Sequence, residues 1–361
     1  MRIIGCDLHA AKQNIAMLDR DTGEVVEHTL SHDGDTVREF YAAIPKPAVV
    51  GIEATGSMGW FVRLMEELGV TCRVGHPAAI RTAEPRRQKH DRRDAQLLLR
   101  LLAEDRFPAI WMPTAEQRDL RALLLHRHQW VRMRTRVQHA LQAIALGQGV
   151  RRGGTLWSTD GQAVLAALPL LPHATDRRDA LQALYRQLNA QVERLDEPVR
   201  AIAEQRSGAT LLMTHPGVGP VTALATDIFL GDPFRFPSGK ALASYVGLIP
   251  SEYSSGARQR LGHVSKQGNP FLRFLWGEAV MGAVRRDPEL QRFFRRKLPQ
   301  KGLGKARVAA ARKLGVRLWI MLRDQITYDE FCRRRSTATV MNGAARAGRP
   351  VLGHGPRVTD H

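Results

Sequence analysis

Long apolar runs are missing from this chain: nowhere do about eighteen consecutive residues stay apolar, so no membrane-spanning helix is expected. Cysteine is scarce too. Cys6, Cys72 and Cys332 are odd in number, far apart and outside any metal-ligand spacing, which points to free thiols in a reducing cytoplasm. The N-terminus lacks a charged and then apolar signal segment, and an unexported, soluble protein is expected. Acid is the third shortage, with 35 Asp and Glu against 54 Lys and Arg and a formal net charge of +19. A surplus of that size repels itself unless a polyanion offsets it, and nucleic-acid phosphate is the commonest such partner. A membrane surface would need an amphipathic or juxtamembrane basic segment, and none stands out. The 13 histidines are scattered rather than grouped, which argues against a His-based metal site.

What is present begins with an apolar run that ends on a carboxylate, Arg2-Ile3-Ile4-Gly5-Cys6-Asp7-Leu8-His9. An unpaired charge inside a core costs several kcal/mol, so Asp7 is expected where a strand emerges into a polar site. Strands follow at Asn14 to Asp19 and Val25 to Leu30, joined through Asp21-Thr22-Gly23, and a helix around Thr36 to Ala43. Ala48 to Glu53 repeats the opening pattern, again ending on an acid. A helix from about Gly56 and a short strand at Thr71 to Val74 complete the stretch. Three antiparallel strands, then helix, strand, helix, strand, is the order of the ribonuclease H type of fold, in which strands one and four lie side by side. By that analogy Asp7 and Glu53 become neighbours.

Asp91 and Asp94 stand three apart where a helix begins, ahead of Gln96 to Ala103, and so share one face near the positive end of the helix dipole. Asp7, Glu53, Asp91 and Asp94 are then four carboxylates at element ends. Hard divalent cations such as Mg²⁺ (or Mn²⁺) take carboxylate and phosphate oxygens, and a pair of them stabilises both oxygens of a phosphoryl transfer. Without a cation the same carboxylates would repel one another.

From Thr114 to about Ala145 the pattern is helical, with Leu120, Leu124, Val137 and Leu141 on its apolar stripe and Arg118, Arg121, Arg127, Arg132, Arg134 and Arg136 over much of the rest. A second helix, Asp179 to about Gln205, carries Leu181, Leu184, Leu188, Val192, Leu195, Val199 and Ile202 at nearly seven-residue spacing. Two such helices suggest a coiled-coil arm. Too few acids accompany the arginines for a merely solvated face, so contact with RNA or DNA is expected. Met213 to Pro220 resembles a helix-hairpin-helix turn in which Gly217 and Gly219 would offer backbone N–H groups to phosphate. Ser254 and Ser255 follow in a Gly-punctuated stretch among the basic residues Arg258, Arg260, Lys266 and Arg273. Arg285 to Arg317 is helical and basic, a phosphate-facing surface, with Trp276 and Trp319 assigned to the core. Residues 336–361 read as a disordered tail.

Together, Gly5-Cys6-Asp7, Gly51 to Gly56, Lys89 to Ala95 with its Asp-x-x-Asp, Pro216-Gly217-Val218-Gly219 and Tyr245 to Asn269 resemble the DEDD-type insertion-sequence transposases, a family related to the Piv DNA invertases. The likeness spans about residues 2 to 325. It implies a RuvC-like metal-binding domain (1–110), a helical coiled-coil arm (111–205) and a mainly α transposase domain (206–330). The resemblance further implies that Asp7, Glu53, Asp91 and Asp94 form the Mg²⁺-binding tetrad and that Ser255 is the nucleophile, although Ser254 stands next to it. His90 occupies a position where relatives often carry Thr. A structured noncoding bridge RNA pairing with donor and target DNA, and dimers and tetramers in a prokaryotic cytoplasm close to the nucleoid, are implied as well. Two rivals stand beside this reading. One is a metal-dependent nuclease of the Holliday-junction type that uses water; the other is a non-enzymatic RNA-binding scaffold.

Overall fold

The computed structural model describes residues 1–83, 91–151, 153–252 and 260–334. Two compact units divide the chain, Met1–Ala115 and Glu116–His361.

The first unit is built on a five-stranded sheet of β1 (Arg2–Leu8), β2 (Lys12–Asp19), β3 (Val25–Ser31), β4 (Ala48–Glu53) and β5 (Thr71–Gly75), in the order β3-β2-β1-β4-β5. β1 pairs antiparallel with β2 and parallel with β4, so the two central strands are covered on both faces and read as apolar runs. Gly23 has φ +76° in the β2–β3 turn, a conformation open to a residue without Cβ. Helix α1 (Thr36–Ala42) connects β3 to β4 and α2 (Gly59–Leu68) connects β4 to β5, α2 stopping where Gly69 turns left-handed at φ +65°; α3 (Pro77–Ala83) follows β5. Alternation along β1 sends Ile4, Cys6 and Leu8 into the core shared with Tyr41, Phe61 and Met65. Ile3 joins the opposite core, made with Leu98, Leu99 and Leu102 of α4 (Asp91–Ala103). The arrangement is the mixed α/β sheet that the strand order foretold.

The remainder is mostly helical. Helix α5 (Ala115–Gly147), α6 (Thr159–Ala166) and α7 (Pro172–Gln205) form its first part, followed by α8 (Ser207–Met213), α9 (Pro220–Leu230) and α10 (Gly239–Val246). A short ribbon of β6 (Pro250–Glu252) and β7 (Leu261–Val264) leads to α11 (Pro270–Arg286) and α12 (Pro288–Asp324), which breaks at Gly302. Asn269 caps α11, its Oδ1 accepting from the Phe271 and Leu272 amides, and Asp287 caps α12 by accepting from the Leu290 amide at 2.8 Å. Trp276 and Trp319 are buried as expected; the Trp276 indole donates to Thr226 Oγ1 at 3.0 Å and packs so close to Gly315 that a Cβ there has no room.

Helices α5 and α7 are long; on α7 the heptad positions Leu188, Val192, Leu195 and Val199 are buried in succession, and the buried residues of the two helices join two hydrophobic clusters. Leu120, Leu124, Val199 and Ala203 belong to the core of α8–α12, while Val137, Leu141, Ala145 and Leu188 join α6 residues in a separate distal cluster. Between the two clusters Val192 and Leu195 of α7 are buried as well, beside the Arg127–Asp196 and Arg134–Asn189 contacts. Leu184, placed on the apolar rhythm by spacing alone, is exposed because the intervening α6 segment draws Arg178 and Gln182 inward instead.

Candidate active site and nucleic-acid interface

Asp7 and Glu53 stand one residue beyond the last paired rung of the two central strands, Cys6↔Ile52. Parity along each strand puts them on one face. Ile3, Gly5 and Asp7 alternate on β1, and Val49, Gly51 and Glu53 on β4, all toward α4. Both carboxylates are half-buried. His9 Nε2 donates to Asp7 Oδ2 at 2.9 Å, a contact that nothing in the spacing announced.

Helix α4 is seated by the two glycines. A Cβ on Gly5 would fall on the Ala95 carbonyl oxygen and the Leu99 nitrogen, and one on Gly51 would lie 2.7 Å from Leu102 Cδ1. The far end of α4 is fixed near the start of β1, where Arg20 Nη2 donates to the Ala103 carbonyl at 3.4 Å and the Arg20 amide donates to the Met1 carbonyl. The helix therefore runs opposite to β1. Moving from Gly5 to Asp7 advances about 7 Å, and four or five residues back along α4 cover about the same distance, so the first turn of α4 lies beside the Asp7 end of the strand. Asp94 sits in that turn, half-buried; Asp91 begins the helix, and its side chain lies outside the described residues.

No group of three Asp, Glu, His or Cys side chains among the described residues is close enough to form a ready cation cage. The chemistry of the set nonetheless suits a hard cation, since it consists of carboxylate oxygens flanked by unsatisfied polar atoms. Asn14, the partner of Asp7 across β2, is buried with Nδ2 unbonded while its Oδ1 accepts from Thr29 Oγ1 at 2.9 Å; Thr55 Oγ1, just past Glu53, is unbonded as well. Such atoms match bound water or a phosphate oxygen, the other ligands that Mg²⁺ keeps.

The six arginines of α5 divide. Arg127 Nε is 2.5 Å from Asp196 Oδ1, Arg134 donates to Asn189 Oδ1 at 2.8 Å, and Arg121 donates to the Ile228 and Phe229 carbonyls at the end of α9. These three guanidiniums bind within the chain. Burial also lowers the Arg121 pKa, yet at any physiological pH it stays charged. Arg132 and Arg136 are exposed, and Arg118 is half-buried. Gly217, at φ +88°, sits 2.7 Å (measured from an added Cβ) from the Gly282 carbonyl carbon, so close packing on α11 already accounts for it. Gly219 has open space around it at the start of α9. Arg273 donates to the Val246 carbonyl at 2.8 Å, ending α10, while Arg260 and Lys266 are exposed. Ser254, Ser255 and Arg258 lie outside the described residues, as do Lys89, His90 and the 336–361 tail.

A buried polar cluster escaped the sequence reading. Arg317 pairs with Asp287 and with Glu289 (2.6 Å), and His215, from the Gly-rich turn before α9, lies 3.8 Å from Asp287 while its Nδ1 donates to the Pro216 carbonyl at 3.0 Å. Loss of hydration pushes the His215 pKa down to about 4, with the Arg317 charge adding to the effect. The only hint in the sequence was a histidine inside an otherwise apolar, Gly-punctuated turn.

Comparison with known proteins gives two family matches. Residues 4–147 match a transposase model of the DEDD, IS110 type, and residues 209–295 match the model described as the transposase IS116/IS110/IS902 family. A "Probable family 20 transposase" of Pseudomonas aeruginosa is 28% identical over 339 residues, covering 90% of this chain and 98% of the relative. The transposase for insertion sequence element IS1111A of Coxiella burnetii is 27% identical, over 78% of this chain and 80% of the relative. The pilin gene-inverting protein of Moraxella lacunata is 30% identical, over 68% of this chain and 69% of the relative.

Proposed function

The chain belongs to the IS116/IS110/IS902 family of transposases, and from that premise we propose that it is a DNA recombinase that cuts and rejoins the DNA of an insertion sequence through a phosphoserine on Ser255. The observation that carries the reading is the pair of carboxylates, Asp7 and Glu53, at adjacent strand ends beneath the acidic first turn of α4.

Asp7, Glu53 and Asp94, with Asp91, would hold Mg²⁺ or Mn²⁺, and the bound ion would neutralise charge on a scissile phosphate. His9 orients the Asp7 carboxylate by its hydrogen bond. Ser255 Oγ attacks phosphorus; the Oγ–P bond forms as the P–O3′ bond breaks, and the serine proton ends on the departing 3′-hydroxyl. Attack by a second 3′-hydroxyl reverses the step and frees the serine. No nucleotide triphosphate is consumed, because one phosphodiester is exchanged for another. Three functional segments, 1–110, 111–205 and 206–330, share this work, with the α5–α7 arm joining copies as dimers and tetramers. A structured bridge RNA chooses donor and target DNA by pairing, and Arg132 and Arg136, exposed on α5, are suited to its phosphates. The homology to gene-inverting proteins supports recombination over transport, signalling or scaffolding roles.

The carboxylate arrangement by itself also suits hydrolysis by water, as in a Holliday-junction nuclease. Denaturing gels with donor DNA and Mg²⁺ separate the two. The serine route gives an SDS-stable protein–DNA adduct that disappears in both Ser255→Ala and Asp7→Ala. Unimpaired strand cleavage by Ser255→Ala would establish the nuclease instead.

A further inference from the structure

In the C-terminal unit a groove of about 1020 Å³ runs between the β6–β7 ribbon and α12. Its floor is apolar, made by Leu248, Phe293, Val308 and Val316. Lys301, Lys305 and Arg312 stand over it, and among the described residues no Asp or Glu lines it. Lys313 also reaches the groove, but Glu289 holds its ammonium at 2.7 Å. Among the described residues, Lys301, Lys305 and Arg312 make no ion pair or hydrogen bond through their side chains, and both lysines are exposed. The break of α12 at Gly302, φ +73°, falls between the two lysines.

An apolar floor beneath unneutralised cations fits an occupant that is apolar and anionic in alternation. A nucleic-acid strand with its bases unstacked has that character, with flat bases for Phe293 and its neighbours and phosphates for the cations. At about 1020 Å³ the groove is at the upper end of the range for a small ligand, a space that suits a few nucleotides of single strand. Charge excludes residues 335–361 as a filler, since they carry Arg335, Arg346, Arg349 and Arg357 against Asp360. The ribbon forming one wall is the one whose strands end at Glu252 and resume at Leu261, so Ser255 belongs to the segment that joins them.

We propose that this groove holds unpaired nucleotides of the DNA strand on which Ser255 acts. The inference rests on the recombinase reading and adds to it that the duplex must open next to the cut, with the freed bases received by the wall of α12.

The test uses the full chain and a fluorescein-labelled single-stranded DNA of about fifteen nucleotides, titrated at several salt concentrations. A variant combining Lys301→Gln, Lys305→Gln and Arg312→Gln should bind at least tenfold more weakly, and its salt slope should fall by about 2. As a second measurement, the same DNA carrying 5-iododeoxyuridine should crosslink on irradiation to Phe293 or His263 in the unaltered protein. Unchanged DNA affinity and slope, or crosslinks confined to α5, would overturn the proposal; so would a loss limited to RNA of equal length. Failure here is distinguishable from failure of the recombinase reading. If the groove variant binds DNA normally while Asp7→Ala still abolishes strand exchange, only the groove assignment falls. If Asp7→Ala and Ser255→Ala both recombine DNA, the functional reading itself falls.

Discussion

Gly5 of β1 and Ala95 of α4 meet backbone to backbone, with the Ala95 carbonyl oxygen in the space where a Gly5 Cβ would be. That approach sets the height of α4 above the sheet, and with it the distance from the α4 acids to Asp7 and Glu53. Gly5→Ala should therefore act twice. It should destabilise the protein by about 3 kcal/mol, since the obstruction is backbone that cannot rotate away, and it should reduce strand exchange under conditions where the variant is still folded. Gly56→Ala, with nothing within 4 Å of the added methyl and no positive φ, is the control and should stay within about 0.5 kcal/mol of the parent in urea unfolding.

Arginines that look alike on α5 should separate by measurement. Arg127 is tucked against Asp196 with its side chain 16% exposed, so Arg127→Ala should cost about 1–2 kcal/mol of stability by leaving that carboxylate half-buried and unpaired. Arg132 is exposed, so Arg132→Ala should leave stability alone and lower the salt slope of nucleic-acid binding by just under one unit. Equal effects of the two on both measurements would refute the division.

His215 predicts a pH dependence of folding. Its pKa is depressed to about 4 in the fold against 6.5 for an unperturbed imidazole, because it is buried near Arg317, and the facing Asp287 carboxylate only partly offsets this. Tyr328, its ring tilted against His215 with centroids 4.6 Å apart, stays neutral throughout that range because burial raises its own pKa. Below pH 6.5 the unfolded chain takes up the proton first, so the His215 contribution is intact above that value. It declines by up to about 1.4 kcal/mol per pH unit toward pH 4, then levels off. Urea unfolding of the parent and His215→Gln between pH 8 and pH 4 checks this: the difference between them should shrink as the pH falls. A difference that is flat across the range would mean that His215 does not titrate between the two states.

Much of the N-terminal unit was legible in its sequence, because alternation, apolar runs and a Gly turn are local signals. The strands at Val25 and Ala48, the helix at Thr36 and the α4 start at Asp91 were all readable in that way. The arm was less legible. Seven-residue spacing on α7 does not reveal that α6 folds against its distal half, and so it could not show Leu184 exposed or Arg178 buried. Gly217 shows a similar limit: a glycine in a turn has the same appearance whether a phosphate or the backbone of α11 lies against it, and here α11 does.

By itself the sequence determined which residue types are available for chemistry, namely four acids at element ends, a serine-bearing Gly-rich stretch and a large cationic excess, since composition and short-range spacing are properties of the chain alone. Only the tertiary structure decided which of them share a face and which are consumed internally. The parallel pairing of β1 with β4 brings together Asp7 and Glu53 across more than forty residues of chain, and helix packing turns Arg121, Arg127 and Arg134 inward while leaving Arg132 exposed. The physical reason is that a carboxylate or guanidinium looks the same in sequence whatever it faces. Its partners come from segments far away along the chain, and they are fixed only when sheets and helices close over their cores.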